Sequence, residues 1–143
     1  MTRIPFAAFA LALLTAQASA SAGFSCEADD NNVAKLVVEG ATPRAGGSLI
    51  NFGGLLELDG TKLEFKRADV KQFSWNAKGL QLRVTARSGD RTFHVSVSAR
   101  RNPADEDDWA GSYEVRYGAA GAKDKAAKAK TDAKRGKVKC FME

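Results

Sequence analysis

Apolar and polar residues alternate along most of this chain, the period expected of β-strands that bury one face. Ile50, Phe52, Leu56 and Leu58 recur along 49–58, with Gly54 on the same face, and after Asp59-Gly60 the residues Leu63 and Phe65 alternate with Lys62, Glu64 and Lys66. Asp-Gly between two alternating runs predicts a two-residue hairpin, because a type I′ turn needs positive φ at both positions. Such a loop fixes the register: Leu56 faces Leu63, Phe65 covers Gly54, and Glu57 pairs with Lys62 on the opposite face. A second hairpin is predicted around Gly89-Asp90, where Leu80, Leu82, Val84 and Ala86 precede the turn and Phe93, Val95, Val97 and Ala99 follow it. In that register Ala86 meets Phe93, Val84 meets Val95, Leu82 meets Val97, and His94 stands opposite Thr85.

Further strands follow from the same period. Trp109 to Tyr117 alternates with an aromatic-rich inner row, Val33 to Glu39 supplies an early strand, Phe73 and Trp75 sit on a short one, and Lys137 to Phe141 closes the chain. No convincing amphipathic helix interrupts them. One-sided strands must bury their apolar side against a second sheet or by closing on themselves. The expected fold is therefore all-β: an antiparallel β-sandwich or a small β-barrel of seven to eight strands.

The N-terminus departs from this alternation. Phe6 to Leu14 is an uncharged apolar run, preceded by Arg3 and followed by Ala16-Gln17-Ala18-Ser19-Ala20-Ser21-Ala22. That order is what a signal peptidase reads, and the run is too short to span a bilayer. Residues 1–20 are expected to be a cleavable secretory signal, cut after Ala20 or after Ala22, leaving 21–143 as one domain. Gly23-Phe24-Ser25 before Cys26 lacks the leucine and small-residue run of a lipoprotein signal. No later segment reaches ~18 consecutive apolar residues, so no transmembrane segment is expected. The expected address is periplasmic or secreted.

The two cysteines, Cys26 and Cys140, bracket the domain. In an oxidising compartment they allow one intramolecular pairing. That disulfide would bring the first and last strands side by side or face to face, with Cα atoms within about 7 Å. Two cysteines and the single His94 do not make a structural zinc set, and neither metal nor cofactor is expected.

Charge changes the picture in one place. Residues 118–136 contain no large apolar side chain and are expected to form a flexible, solvated Lys/Ala-rich insert. Lys123, Lys125, Lys128, Lys130, Lys134, Arg135 and the adjoining Lys137 stand against Asp124 and Asp132. Their net +5 equals the +5 of the whole chain, so the basic character is local. Such a segment suits an anionic polysaccharide, lipopolysaccharide or another envelope protein, or it is simply a solvated linker. It carries no aromatic residues to stack on bases, which disfavours nucleic acid. Arg83, Arg87 and His94, beside Thr85, Ser96 and Ser98, form a second candidate anion-binding face.

Other constellations carry less. Asp105-Glu106-Asp107-Asp108 is rich in carboxylates but lacks the spacing and glycine of an EF-hand loop. Trp75, Trp109, Tyr113 and Tyr117 read as core or edge aromatics. No nucleophile or acid is fixed beside His94, so no catalytic residue is assigned. The expected function is a non-enzymatic exported binding module. The alternative is a small secreted inhibitor of a hydrolase (a protease or lysozyme), by analogy of fold alone. An enzyme with a dispersed site is the third class.

Overall fold

The computed structural model describes residues 21–43, 48–119 and 132–143; the expected signal at 1–20 lies outside them. Nine strands follow in chain order: β1 (Ser21–Ala28), β2 (Lys35–Pro43), β3 (Asn51–Leu58), β4 (Thr61–Lys66), β5 (Val70–Trp75), β6 (Gly79–Ser88), β7 (Arg91–Asn102), β8 (Asp105–Ala119) and β9 (Asp132–Met142). A single 3-10 turn, Arg67–Asp69, separates β4 from β5. The sheet order is β4-β3-β2-β1-β9-β8-β7-β6-β5, and every neighbouring pair is antiparallel.

This arrangement decides between the two predicted architectures: one sheet curls into a nearly closed barrel. Stepping through the antiparallel pairs, β4 and β5 point the same way. Joined by one short turn, they act as a single bent strand whose first half pairs with β3 and whose second half pairs with β6. The barrel thus has eight strand-like staves, an even number that lets antiparallel neighbours close the ring. Counting the bent stave twice gives nine strands, where the sequence predicted seven or eight.

Both predicted hairpins form in the expected register. Leu56 pairs with Leu63, Gly54 with Phe65 and Glu57 with Lys62. Asp59 and Gly60 have φ of 49° and 76°, the left-handed geometry of a type I′ turn. Ala86 pairs with Phe93, Val84 with Val95, Leu82 with Val97 and Thr85 with His94. Strand ends differ more. The early strand is β2, so Val33 lies in the loop before it, where it is nevertheless buried. Ile50 precedes β3 and is 53% exposed, while its neighbour Leu49 turns inward.

The inward face of the strands fills the barrel. Phe24, Leu36, Val38, Leu56, Leu82, Phe93, Val97, Tyr113 and Val115 belong to one buried cluster that runs across the interior. Phe24 stacks on Phe73 at 5.5 Å and meets Trp75 edge-on at 5.8 Å, so β1 reaches across to β5.

Cys26 and Cys140 form the predicted disulfide, joining directly opposed residues of the adjacent strands β1 and β9 with Cα atoms 4.0 Å apart. Both are fully buried.

Candidate functional site

The outward positions of β6–β9 are polar, and their register builds one continuous surface. One cross-strand row reads Arg83, Ser96, Glu114, Arg135. The next towards the C-terminal end of β9 reads Gln81, Ser98, Ser112, Lys137, followed by Gly79, Arg100, Ala110, Lys139. On the other side lie Thr85, His94, Arg116, Ala133, then Arg87, Thr92 and Gly118. Short serine side chains on β7 and β8 therefore form a lane between two basic ridges. Arg83 and Arg87 stand on the β6 side, and Arg135, Lys137 and Lys139 stand at every second position of β9. The two ridges are three strand spacings apart, about 14 Å.

Glu114 is the one acidic side chain among these rows. It is paired with both Arg135 and Arg116. The hydrogen bond from Arg135, reinforced by Arg116, holds its carboxyl below the usual carboxylate range. Glu114 thus stays ionised and holds two guanidinium groups in place. Gln81 donates to the Ser98 hydroxyl at 2.8 Å, and Thr85 Oγ1 lies 3.0 Å from His94 Nδ1. The flanking arginines Arg83, Arg87 and Arg100 are exposed.

The structure thereby unites two candidates that were separate in sequence. Arg135, read as part of the insert, and Lys137, read as the start of the closing strand, both lie on β9 beside the face carrying Arg83, Arg87 and His94. Lys134 also lies on β9, but at an inward-parity position opposite Val115. Strand pairing extends further into the basic segment than its composition implies: β8 runs to Ala119 and β9 starts at Asp132. The ladder supplies the reason, since backbone groups pair without large apolar side chains, and Tyr117↔Asp132 and Glu114↔Arg135 add cross-strand contacts. Lys123, Lys125, Lys128 and Lys130 lie outside the described residues.

An Asp-rich loop fixes this part of β9. Strand β1 ends at Ala28, opposite Val138, so β9 loses its partner on that side before Lys137. The loop 29–34 takes over. Asp29 N–H donates to Lys137 O at 2.7 Å, Lys137 N–H donates to Asp30 Oδ2 at 2.6 Å, and Asn32 Nδ2 donates to Arg135 O at 2.7 Å. Asp30 Oδ1 accepts from Tyr113 OH at 2.7 Å and from Asn32 N–H at 3.0 Å. Desolvation works against the Asp30 charge, but the bonds from Tyr113, Lys137 and Asn32 outweigh it and lower its pKa. Burial, then the same bond, pushes the Tyr113 phenol well above its ordinary value near 10. Gly136 lies opposite Tyr113, and a Cβ there would sit 1.9 Å from Asp30 Oδ2, so glycine is what lets this carboxylate reach the phenol. None of these contacts was legible in sequence, because Asp30 and Tyr113 are 83 residues apart.

The remaining candidates take structural roles. Trp109, Tyr113 and Tyr117 are buried, and Trp75 packs partly buried against the core. Trp109 Nε1 donates to Glu106 O at 3.2 Å, and Tyr117 OH donates to Asp59 Oδ2 at 3.0 Å. In the acidic stretch, Glu106 pairs with Arg101 at 2.6 Å and Asp108 accepts from Asn102 at 3.0 Å. Among the described residues, no three His, Cys, Asp or Glu side chains are grouped to hold a metal ion. No described helix is long and apolar enough to cross a membrane. Comparison with family models, with curated proteins and with solved structures returned no match.

Proposed function

We propose that this protein is an exported, non-enzymatic binding module that holds anionic polymer of the cell envelope on the outer β6–β9 face, extended by the lysine-rich segment between β8 and β9. One observation carries the reading: in the cross-strand rows from Arg87 to Gly79, the residues Arg83, Arg87, Arg100, Arg116, Arg135, Lys137 and Lys139 stand with a single carboxylate, Glu114, while the further outward carboxylates Glu106 and Asp108 lie beyond those rows at the start of β8. Serines on the floor offer hydroxyl donors and acceptors, while guanidinium groups on the rims suit carboxylate, sulfate or phosphate esters. Exposed charges act in high dielectric, so affinity arises from many weak contacts and is steeply salt-dependent. A repeating polyanion meets that requirement better than a small anion.

The test is a salt titration of binding to an acidic polysaccharide and to lipopolysaccharide, using the wild-type protein, R83E/K137E, and a variant with 120–131 replaced by a short neutral turn. Wild-type affinity should fall at least roughly tenfold between about 50 and 200 mM salt, the scale for release of about two counterions. R83E/K137E should reduce both affinity and salt slope. Retention of wild-type binding by R83E/K137E would remove the sheet face from the site. Loss confined to the 120–131 variant would assign binding to the segment alone.

A further inference from the structure

A second surface, on β9, β1, β2 and β3 around the start of β1 and the end of β9, has the opposite character. Its outward rows read Phe141, Ser25, Glu39, Gly53 and Glu143, Gly23, Ala41, Asn51. Phe141 and Glu143 on β9 and Glu39 on β2 thus flank Ser25 and Gly23 on β1, beside an open groove of about 520 Å³. The rim strands β9 and β2 are two strand spacings apart, about 9.6 Å between backbones, with Ser25 and Gly23 between them.

Three features define what fits. Phe141 is 49% exposed and offers an apolar ring at the rim. That ring already attracts a cation, with Lys139 Nζ 5.8 Å from its centroid. Glu39 and Glu143 supply two carboxylates, while no lysine or arginine lines the groove. Glu143 Oε2 lies 4.0 Å from where a Cβ on Gly23 would be, so this carboxylate leans over the floor. Asn51 and Ser25 add groups able to donate to and accept from hydroxyls.

We infer that the groove is a subsite for an amino sugar bearing a free, protonated amine. The ring's apolar face covers Phe141, its hydroxyls meet Asn51 and Ser25, and its ammonium sits between Glu39 and Glu143. A neutral sugar would desolvate two carboxylates without a counter-charge, and an anionic sugar would be repelled by them. The groove adjoins the β6–β9 face where Lys139 meets Phe141, but the inference does not rest on polyanion binding there.

The experiment is an amide-resolved NMR titration of the full domain at ~150 mM salt, a screening length of about 8 Å. The probes are a fully deacetylated glucosamine trisaccharide and its N-acetylated counterpart. The deacetylated sugar should shift Gly23, Ser25, Gly53 and Phe141 and bind at least roughly tenfold more tightly than the acetylated one. F141A and E39Q should each weaken it roughly fivefold. R83E should leave it unchanged. Phe141 and Glu39 are both exposed, and unchanged unfolding midpoints verify that the variants remain folded. Equal binding of the two sugars, no binding of either, or wild-type affinity in F141A would each overturn the inference.

Discussion

Asp30 illustrates how one side chain can stand in for a missing strand. Where β1 stops, its carboxylate accepts the Lys137 N–H and the Tyr113 hydroxyl, groups that would otherwise be left unpaired. Tyr113→Phe removes one charge-assisted hydrogen bond while leaving Asp30 two backbone donors. The expected loss is about 1.5 kcal/mol, the lower end for a bond to a charged group, measured by urea unfolding at neutral pH. The pH dependence has a definite sign. Asp30's pKa is lowered below its ordinary value near 3.8 on folding, so its contribution is present above that value and lost as pH falls through the folded-state pKa. Stability should therefore decline below about pH 4, and Asp30→Asn should make the urea midpoint less sensitive to acid over that range. An unchanged acid response in Asp30→Asn would assign the decline to other carboxylates.

Individual elements were legible where local chemistry fixes them. The β3–β4 hairpin follows from alternation on both sides of Asp59-Gly60, and the register needs no knowledge of the rest of the molecule. Gly60 lies at φ 76°, where a side chain is strained. Gly60→Ala should destabilise the domain by about 1–2 kcal/mol, the scale for a non-glycine residue in the left-handed region, read as a shifted unfolding midpoint with unchanged slope. Asp59 adds a tertiary contact to that turn by accepting from Tyr117, which strand alternation does not encode. Strand ends were less legible. The basic run from Asp132 to Lys137 looks unfit for a strand by composition, yet it pairs with β8 along its length. Its partners are backbone groups on β8 and polar side chains of the loop 29–34, and neither leaves a local hydrophobic signal.

For the whole molecule, the Cys26–Cys140 bridge ties together strands 114 residues apart. Chain-entropy arguments put a loop of this size on the order of 4–5 kcal/mol, a large share of the stability of a domain this small. The C26A/C140A double variant should lose about that much, with the urea midpoint as readout. A loss below about 1 kcal/mol would mean that the barrel, rather than the bridge, holds β1 against β9. The bridge also fixes what lies on either side of it: β1 leads to the glycine-floored groove, and β9 leads to the basic ridge. R83E should therefore bind poorly while unfolding like the wild-type protein, because its side chain is exposed, whereas K137E should also weaken the Asp30 brace, whose charge Lys137 helps to stabilise.

The sequence by itself determined the all-β class, both hairpins with their registers, the inward aromatic row and the partner of each cysteine. Those features depend on period, turn chemistry and counting, which act over a few residues or admit one answer. Tertiary structure decided that the sheet curls into a nearly closed barrel, because that depends on the bent β4–β5 stave pairing with two different neighbours. It also decided that Arg83 and Arg135 share a row, that Asp30 serves β9, and that Phe141 overlooks Glu39. Each of those relations joins residues far apart in the chain, and strand order alone brings them together.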